Sequence, residues 1–145
     1  MNIEFVEITN RPNSEVIAKL QQCDLVIDQL YSDSTMTGIA YEAAELAKPT
    51  IVSGHGLNDV VIYSKAMAAP PTLKCTPETF ENTLRFYIEN QSARIDAGQK
   101  AQDFVRTHWS RESVAAKYKK LISSSIEPDW IFNPLDIQYI FGCAI

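Results

Sequence analysis

The strongest structural signal in the chain lies in residues 23–52, which read CDLVIDQLYSDSTMTGIAYEAAELAKPTIV. Residues 25–27 form a short apolar run without alternation, which is typical of a strand buried on both faces of a parallel sheet. A helix is predicted over about 37–47, and residues 49–52 predict a second buried strand. Strand, helix and strand in this order predict a βαβ unit, in which the two strands run parallel.

Upstream of this unit, residues 3–9 mix apolar and acidic side chains of high β-propensity and predict a further strand. The turn residues at 10–13 end it, and a helix is expected next. Ser14 is placed to cap that helix, and its inward face is predicted to carry Val16, Ile17 and Leu20.

Downstream, residues 57–69 fit either a strand or a short helix, and periodicity does not decide between them. Residues 70–75 predict a loop that leads into a short strand. A hydroxyl, a proline and an acid at 76–78 are typical of a helix start, and further helices are predicted over about 92–107 and after the capping residue Ser110. The residues expected to face inward on these three helices are Phe80, Leu84, Tyr87, Ile88, Ile95, Ala101, Phe104, Val105, Val114, Ala115, Tyr118, Leu121 and Ile122.

Together these elements predict one α/β domain over residues 1–125, a Rossmann-like three-layer domain with a parallel sheet, followed by C-terminal helices. The composition changes at 126–145, which form an apolar tail with little charge. Because an exposed apolar patch of that size is unusual for a monomer, the tail is expected to pack on the domain or on a partner. Its large apolar residues are Trp130, Ile131, Phe132, Leu135, Ile137, Tyr139, Ile140 and Phe141.

Composition and charge narrow the class of function, since the chain has 145 residues, is 46% hydrophobic and carries a formal net charge of −5. An acidic balance without a stripe of Lys and Arg argues against nucleic acid as a partner, because phosphates require clustered cations. No run of about 20 apolar residues predicts a transmembrane segment, and the N-terminal residues do not resemble a secretory signal. The cysteines at 23, 75 and 143 fit neither a disulfide framework nor a metal site, so a cytoplasmic location is expected.

The loop between the first buried strand and the following helix carries most of the candidate binding residues. Backbone N–H groups and the positive dipole end at a helix start favour phosphate, and ligands of open α/β sheets bind at the carboxyl ends of strands. Small hydroxyl side chains and glycine allow a diphosphate to come close. The residues concerned are Ser34, Thr35, Met36, Thr37 and Gly38. The alternative is that such a loop only caps the helix.

Two further residues are candidates for binding. Glu42 lies about one turn into the helix, where a carboxylate can accept hydrogen bonds from vicinal hydroxyls, or where it is simply solvated. His55 follows the second buried strand and is a candidate contact for a phosphate or a base, or an exposed turn histidine. No Ser-His-Asp, Cys-His or metal-ligand spacing is visible, so no catalytic residue, metal or cofactor is predicted.

The same residues carry a resemblance to a known family. Cys23-Asp24 opens the first buried strand, a small-residue loop follows, and the next helix carries Glu42-Ala43-Ala44 and ends before Lys48-Pro49. Residues 104–110 then match the closing helices of the family. In this order and spacing, about residues 3–122 resemble the C-terminal, donor-binding domain of the retaining GT-B type glycosyltransferases.

The resemblance implies a glycosyltransferase that moves a sugar, without a metal, from a nucleotide-diphosphate donor to an acceptor. It also implies that residues 34–38 hold the diphosphate and that Glu42 holds the nucleotide ribose. Three positions depart from the family pattern. Ser34 stands where many members carry a glutamate near the transferred sugar, Thr37 stands where a glycine is expected, and Ala47 stands where a glycine precedes Lys-Pro.

The family's donor domain has two further strand–helix units before the strand that residues 3–8 resemble, so the chain is expected to be N-terminally truncated relative to the family. In the usual strand order, one missing strand lies beside residues 24–28, so either residues 3–8 pair there or an edge stays open. The expectation is a partial or split glycosyltransferase, in which a homo-oligomer or a partner chain supplies the other half. The alternative is a non-catalytic interaction subunit that keeps the fold, which Ser34 and the apolar tail favour.

Overall fold

The computed structural model describes residues 3–57 and 70–128. Over these residues the chain forms three short strands and five helices, which alternate at first and end in a run of helices. The strands are β1 (Val26–Ile27), β2 (Thr50–Ser53) and β3 (Leu73–Cys75), and the helices are α1 (Asn13–Gln22), α2 (Gly38–Glu45), α3 (Phe80–Glu89), α4 (Gln91–His108) and α5 (Arg111–Ile122). The predicted α/β class, the parallel sheet and the helices that follow it are confirmed.

The three strands lie in the order β1-β2-β3, and both neighbouring pairs are parallel. Ile51 of β2 is level with Ile27 on one side and with Leu73 on the other. All four residues of β2 are buried, as expected for a central strand covered on both faces. The predicted buried strands therefore lie side by side, with their carboxyl ends at one edge of the sheet.

Residues 3–9 do not form the predicted strand. Ile3, Phe5 and Val6 are exposed, with 59% of Ile3 and 75% of Phe5 accessible, whereas Ile8 is half-buried. An extended segment needs a neighbour for its N–H and C=O groups and a surface that covers its apolar face. In the part of the chain that the structure describes, β1 has β2 as its only neighbouring strand, so the segment does not pair there and the edge of β1 stays open.

Helix α2 is fixed between two apolar clusters. One cluster joins it to α4 and contains Met36, Ala40, Ala44, Ala101, Phe104 and Val105. The other joins it to α1 and β1 and contains Leu20, Val26 and Ala43. Because alanines leave little bulk between neighbouring elements, α2 packs closely on both sides. Its position is therefore set by the core, since a helix of this length is marginal by itself.

The predicted inward faces are right for some helices and wrong for others. Leu20, Phe104 and Val105 are buried, and the predicted stripe of α3 is half-buried. Ile95 on α4 was expected inside but is 64% exposed. The predicted inward residues of α5 are all exposed. Helical periodicity identifies an apolar face, but it carries no information on whether another element lies opposite that face.

Ser14 does not cap α1 as predicted, because α1 begins at Asn13 with Pro12 at the N-cap position and no side-chain cap hydrogen bond. A segment boundary differs at α3. The helix predicted after 76–78 begins at Phe80, because Thr76 and Thr79 first form a hydrogen-bonded turn. Most of the ambiguous segment 57–69 and all of the tail beyond Pro128 lie outside the described residues. Among the helices that the structure describes, none has the length and hydropathy needed to cross a bilayer.

Ser110 caps α5 as predicted, and its hydroxyl accepts a hydrogen bond from the Ser113 N–H over 3.2 Å. We expect Ser110→Ala to destabilise α5 by about 1 kcal/mol, because one N-terminal N–H loses its acceptor. Native-state hydrogen exchange measures this locally, and the α5 amides should exchange roughly fivefold faster. Ser92→Ala in the first turn of α4 is the control. Equal acceleration in both variants would contradict a specific cap at Ser110.

Candidate functional site

The candidate site lies where the loops after β1 and β2 meet. Backbone pairing continues beyond the strand ends, since Ser32 N–H donates to the Ser53 carbonyl and Ser53 N–H donates to the Gln29 carbonyl, each over 2.8 Å. Gly54 N–H donates to the Cys75 carbonyl over 3.0 Å. A Cβ added at Gly54 would lie 2.1 Å from the Ser32 carbonyl oxygen, so only glycine fits there. The two loops are therefore fastened together at the carboxyl edge of the sheet.

The loop that leads to α2 follows a fixed path. The buried Ser32 hydroxyl donates to the Ser34 carbonyl over 2.8 Å and accepts from the Ser34 N–H over 3.1 Å. The Ser34 hydroxyl repeats this pattern one step on, donating to the Met36 carbonyl over 3.2 Å. Thr72 donates its hydroxyl to the Thr35 carbonyl, and the Met36 side chain is buried against α2 and α4. Side-chain hydrogen bonds to the local backbone thus replace regular structure here.

The first turn of α2 has no side-chain cap. Thr37 stands at the N-cap position in an extended conformation, but its hydroxyl donates to Oδ2 of Asp28 instead of accepting from the helix. A Cβ added at Gly38 would meet no atom of the described chain within 4 Å. Free N–H groups at a helix start need an acceptor from water or from a ligand. The start of α2 therefore presents backbone donors towards open space.

Asp28 is hydrogen-bonded directly through its carboxylate to Thr37, the residue at the N-cap position of α2. It is half-buried, and burial raises the pKa of its carboxyl above the ordinary value of 3.8, although the hydrogen bond from Thr37 acts in the opposite direction. An ionised Asp28 repels an anion at the start of α2. No sequence pattern indicates a role for Asp28, because Thr37 lies nine positions away in the chain and the contact depends on the path of the loop.

Asp28→Asn is expected to stabilise the fold near pH 7 and to have little effect near pH 3. Because the pKa of Asp28 is higher in the folded chain, its contribution to stability is full below 3.8 and is lost as the pH rises through the raised folded pKa. Asparagine keeps an acceptor for Thr37 without the charge. Urea unfolding at both pH values measures the effect, with Asp24→Asn at the other end of β1 as the control. An equal shift at both pH values would contradict the assignment.

Glu42 lies one helical turn after Gly38 and is half-buried. Its Oε1 accepts a hydrogen bond from Nδ2 of Asn13, the first residue of α1, over 2.8 Å. The two residues are 29 positions apart in the chain, so no local pattern could have shown this pair. A vicinal diol at Glu42 therefore has to share the carboxylate with Asn13 or replace it.

His55 lies in the turn after β2 and is exposed. Its Nε2 is 3.8 Å from Oε1 of Glu78, and both side chains are about two-thirds accessible. At such exposure an ion pair contributes little to stability. Because Ser53 is hydrogen-bonded to Ser32 and Gly54 lies against the Ser32 carbonyl, His55 follows directly on the junction of the two loops. Of the predicted binding residues, 34–37 and His55 lie on the loops that follow β1 and β2, and Gly38 and Glu42 lie in the first turns of α2.

Two hollows on the surface of the described chain do not contain these residues. The larger, about 580 Å³, lies between β3 and α3 and is lined by Thr72, Leu73, Lys74, Asn82, Thr83, Phe86 and Tyr87. The smaller, about 100 Å³, lies beside Asp24, Lys48 and Arg94. Within residues 3–57 and 70–128, no group of three or more His, Cys, Asp or Glu is arranged to hold a metal ion. The candidate site is an open loop edge that adjoins the larger hollow only through Thr72, whose hydroxyl donates to the Thr35 carbonyl.

Comparison with known proteins identifies no relative. No protein-family model, no curated protein and no solved structure matches the chain.

Proposed function

We propose that this chain is a glycosyltransferase-like protein that binds a nucleotide-diphosphate sugar at the start of α2, as part of a partial or split enzyme with a Rossmann-like three-layer domain. The observation that carries the proposal is the uncapped helix start at Gly38, which opens on free space at the carboxyl edge of a parallel sheet. In open α/β sheets this edge is where ligands bind. A cytoplasmic location and a nucleotide-sugar donor are parts of the same proposal.

The physical basis for diphosphate binding is the field at the helix start. The aligned peptide dipoles place roughly half a positive charge at the N-terminus of a helix, and the first N–H groups point outward. Gly38 lets a phosphate approach the backbone, because no side chain lies in the way. Ser34 is exposed four residues before Gly38, and the Thr37 hydroxyl would bind the phosphate only after exchanging its hydrogen bond to Asp28. In this proposal Glu42 binds the ribose hydroxyls after exchanging the hydrogen bond from Asn13.

The open edge of β1 supports the proposal that the chain is part of a partial or split enzyme. Val26 donates its N–H to the carbonyl of Pro49, directly before β2, and Asp28 donates its N–H to the carbonyl of Ile51 in β2. Because neighbouring residues of a strand point their backbone groups to opposite sides, the N–H and C=O of Ile27 point to the outer edge. A partner chain or a second copy that adds a strand there would complete the sheet and supply the acceptor side. The described residues offer no assigned acid, base or nucleophile, so that half would also bring the catalytic groups.

Calorimetry with a panel of nucleotide-sugars tests the proposal. One member of the panel is expected to bind the full-length chain, and Glu42→Gln is expected to weaken that binding about tenfold, because a charge-assisted bond to the ribose becomes a neutral one. Glu45→Gln is the matched control, because Glu45 lies three residues further along α2. This variant should bind as tightly as the unchanged chain. Binding by no member of the panel, or equal weakening by both variants, would contradict the donor site.

The second candidate is a non-catalytic interaction subunit. It is favoured by the exposed apolar side chains of Ile3 and Phe5, and by Ser34, whose hydroxyl donates to backbone where many family members carry a glutamate. A stable oligomer measured by light scattering, together with no binding in the calorimetric panel, would support this candidate. Donor binding by the same oligomer would support the split enzyme.

A further inference from the structure

Helix α5 carries an apolar stripe that no described element covers. The stripe consists of four side chains with accessible fractions of 36% for Val114, 62% for Tyr118, 53% for Leu121 and 82% for Ile122. At about 100° per residue these positions span roughly 100° of the helix circumference, the width of an ordinary core-facing stripe. We call these four residues the α5 stripe.

The α5 stripe is not the face by which α5 contacts α4. That contact is polar, since Lys117 Nζ and the Ser113 hydroxyl both donate to the His108 carbonyl, over 2.9 Å and 3.2 Å. Ser113 and Lys117 are half-buried, whereas the stripe residues are exposed. The apolar residues of α5 therefore form a second surface, and an exposed apolar surface of this kind marks a site where another segment binds.

The chain turns back on α5 directly after the helix ends. Ser124 adopts a left-handed conformation with φ 55°, Ser125 N–H donates to the Lys120 carbonyl over 2.9 Å, and Ser124 N–H donates to the Leu121 carbonyl over 3.3 Å. This pair of bonds is the Schellman motif, which reverses the direction of the chain. Lys120 Nζ then lies 2.5 Å from Oε1 of Glu127. The segment that leaves α5 is therefore held beside the last turns of the same helix.

We propose that residues 129–145 cover the α5 stripe of their own chain. Nine of these seventeen residues are large and apolar: Trp130, Ile131, Phe132, Leu135, Ile137, Tyr139, Ile140, Phe141 and Ile145. The twelve residues of α5 are about 18 Å long, which roughly six extended residues can span. The tail is therefore long enough to run along the whole stripe.

The attachment of Glu127 to Lys120 favours residues 129–145 of the same chain, and not a second copy of the protein, as the segment that covers the α5 stripe. Glu127 already lies beside α5, only two residues before residue 129, so residues 129–145 are present at an effective concentration in the millimolar range. A second copy competes only when the protein itself approaches that concentration. The attachment through Glu127 and the turn at Ser124 thus favour covering within one chain.

The test uses the full-length chain labelled with 5-fluorotryptophan and observed by fluorine NMR. The chain has two tryptophans, Trp109 and Trp130, so the spectrum contains two resonances, which Trp130→Phe assigns. Trp109 stacks on Tyr41 and its resonance reports that the domain is folded. We expect the Trp130 resonance to lie away from its position in urea, and Leu121→Glu to move it towards that position while the Trp109 resonance stays in place.

Ile95→Glu is the matched control, because Ile95 is exposed to a similar degree as Leu121 but lies on α4. It should leave both resonances unchanged. A Trp130 resonance that already has its unfolded position, or that responds equally to both variants, would overturn the proposal. A shift that appears only as protein concentration rises would overturn the intrachain arrangement and indicate a second copy as the occupant. If Leu121→Glu also displaces Trp109, Ile122→Ser provides the same comparison with a smaller change.

Discussion

Gly54→Ala is expected to destabilise the fold by about 3 kcal/mol, at the upper end of the range for an added methyl group in a packed site. The new Cβ would lie 2.1 Å from the carbonyl oxygen of Ser32 and 3.2 Å from Cδ1 of Leu57. The first of these atoms belongs to backbone that is itself hydrogen-bonded to Ser53, so it cannot move without opening the junction of the two loops.

Urea unfolding at constant m-value measures this loss, which corresponds to a decrease of roughly 6–12 °C in Tm. Gly38→Ala is the matched control, because the added Cβ meets open space at the start of α2. That control should change stability by less than about 1 kcal/mol, since alanine is the better helix former. A Gly54→Ala protein as stable as the Gly38→Ala protein would show that the two loops are not packed as closely as the structure places them.

Gly98→Ala is expected to destabilise the chain by about 2 kcal/mol, although alanine favours a helix over glycine by about 1 kcal/mol. Gly98 lies in α4, where an added Cβ would stand 2.1 Å from the carbonyl oxygen of Ala47. Ala47 follows α2 and has φ 54°, and Gln102 of α4 donates to the Glu45 carbonyl beside it over 2.8 Å. The methyl group would therefore push α4 away from the end of α2.

The sign of this change separates packing from helix propensity. If propensity alone mattered, Gly98→Ala would raise the urea midpoint, as Gly38→Ala should. Helix packing predicts opposite shifts for the two variants, since only Gly98 faces another backbone. A gain in stability for Gly98→Ala would show that α2 and α4 are further apart than in this structure, and that the position of the α2 start is less fixed.

The strands and the candidate loop follow from local patterns. Apolar runs without alternation identify β1 and β2, because a strand covered on both faces needs no polar side. The loop at 34–38 could be recognised because its small hydroxyl residues stand between a buried strand and a helix. Both features depend on residues that are close together in the chain, so they could be predicted from the sequence alone.

The wrong predictions and the contacts that were not predicted all depend on how separate parts of the chain come together. Residues 3–9 have the β-propensity of a strand, but a strand forms only beside another, and no local pattern shows whether that neighbour is present. The α5 stripe has the period of an inward face, but the period does not show whether another element lies opposite that face. The pair of Asn13 and Glu42 joins two helices, and the contact of Asp28 with Thr37 depends on the path of the loop between them. Each of these features is set by tertiary contacts.

The most direct test of the anion site is an amide NMR titration of the full-length chain with a nucleoside diphosphate. We expect the amide resonances of Gly38, Ile39 and Ala40 to shift together and saturably, because their N–H groups form the first turn of α2. Gly38→Ala should weaken the effect while the protein stays folded. Saturable shifts confined to another part of the chain, or no shift at millimolar ligand, would contradict the claim that the start of α2 binds the diphosphate.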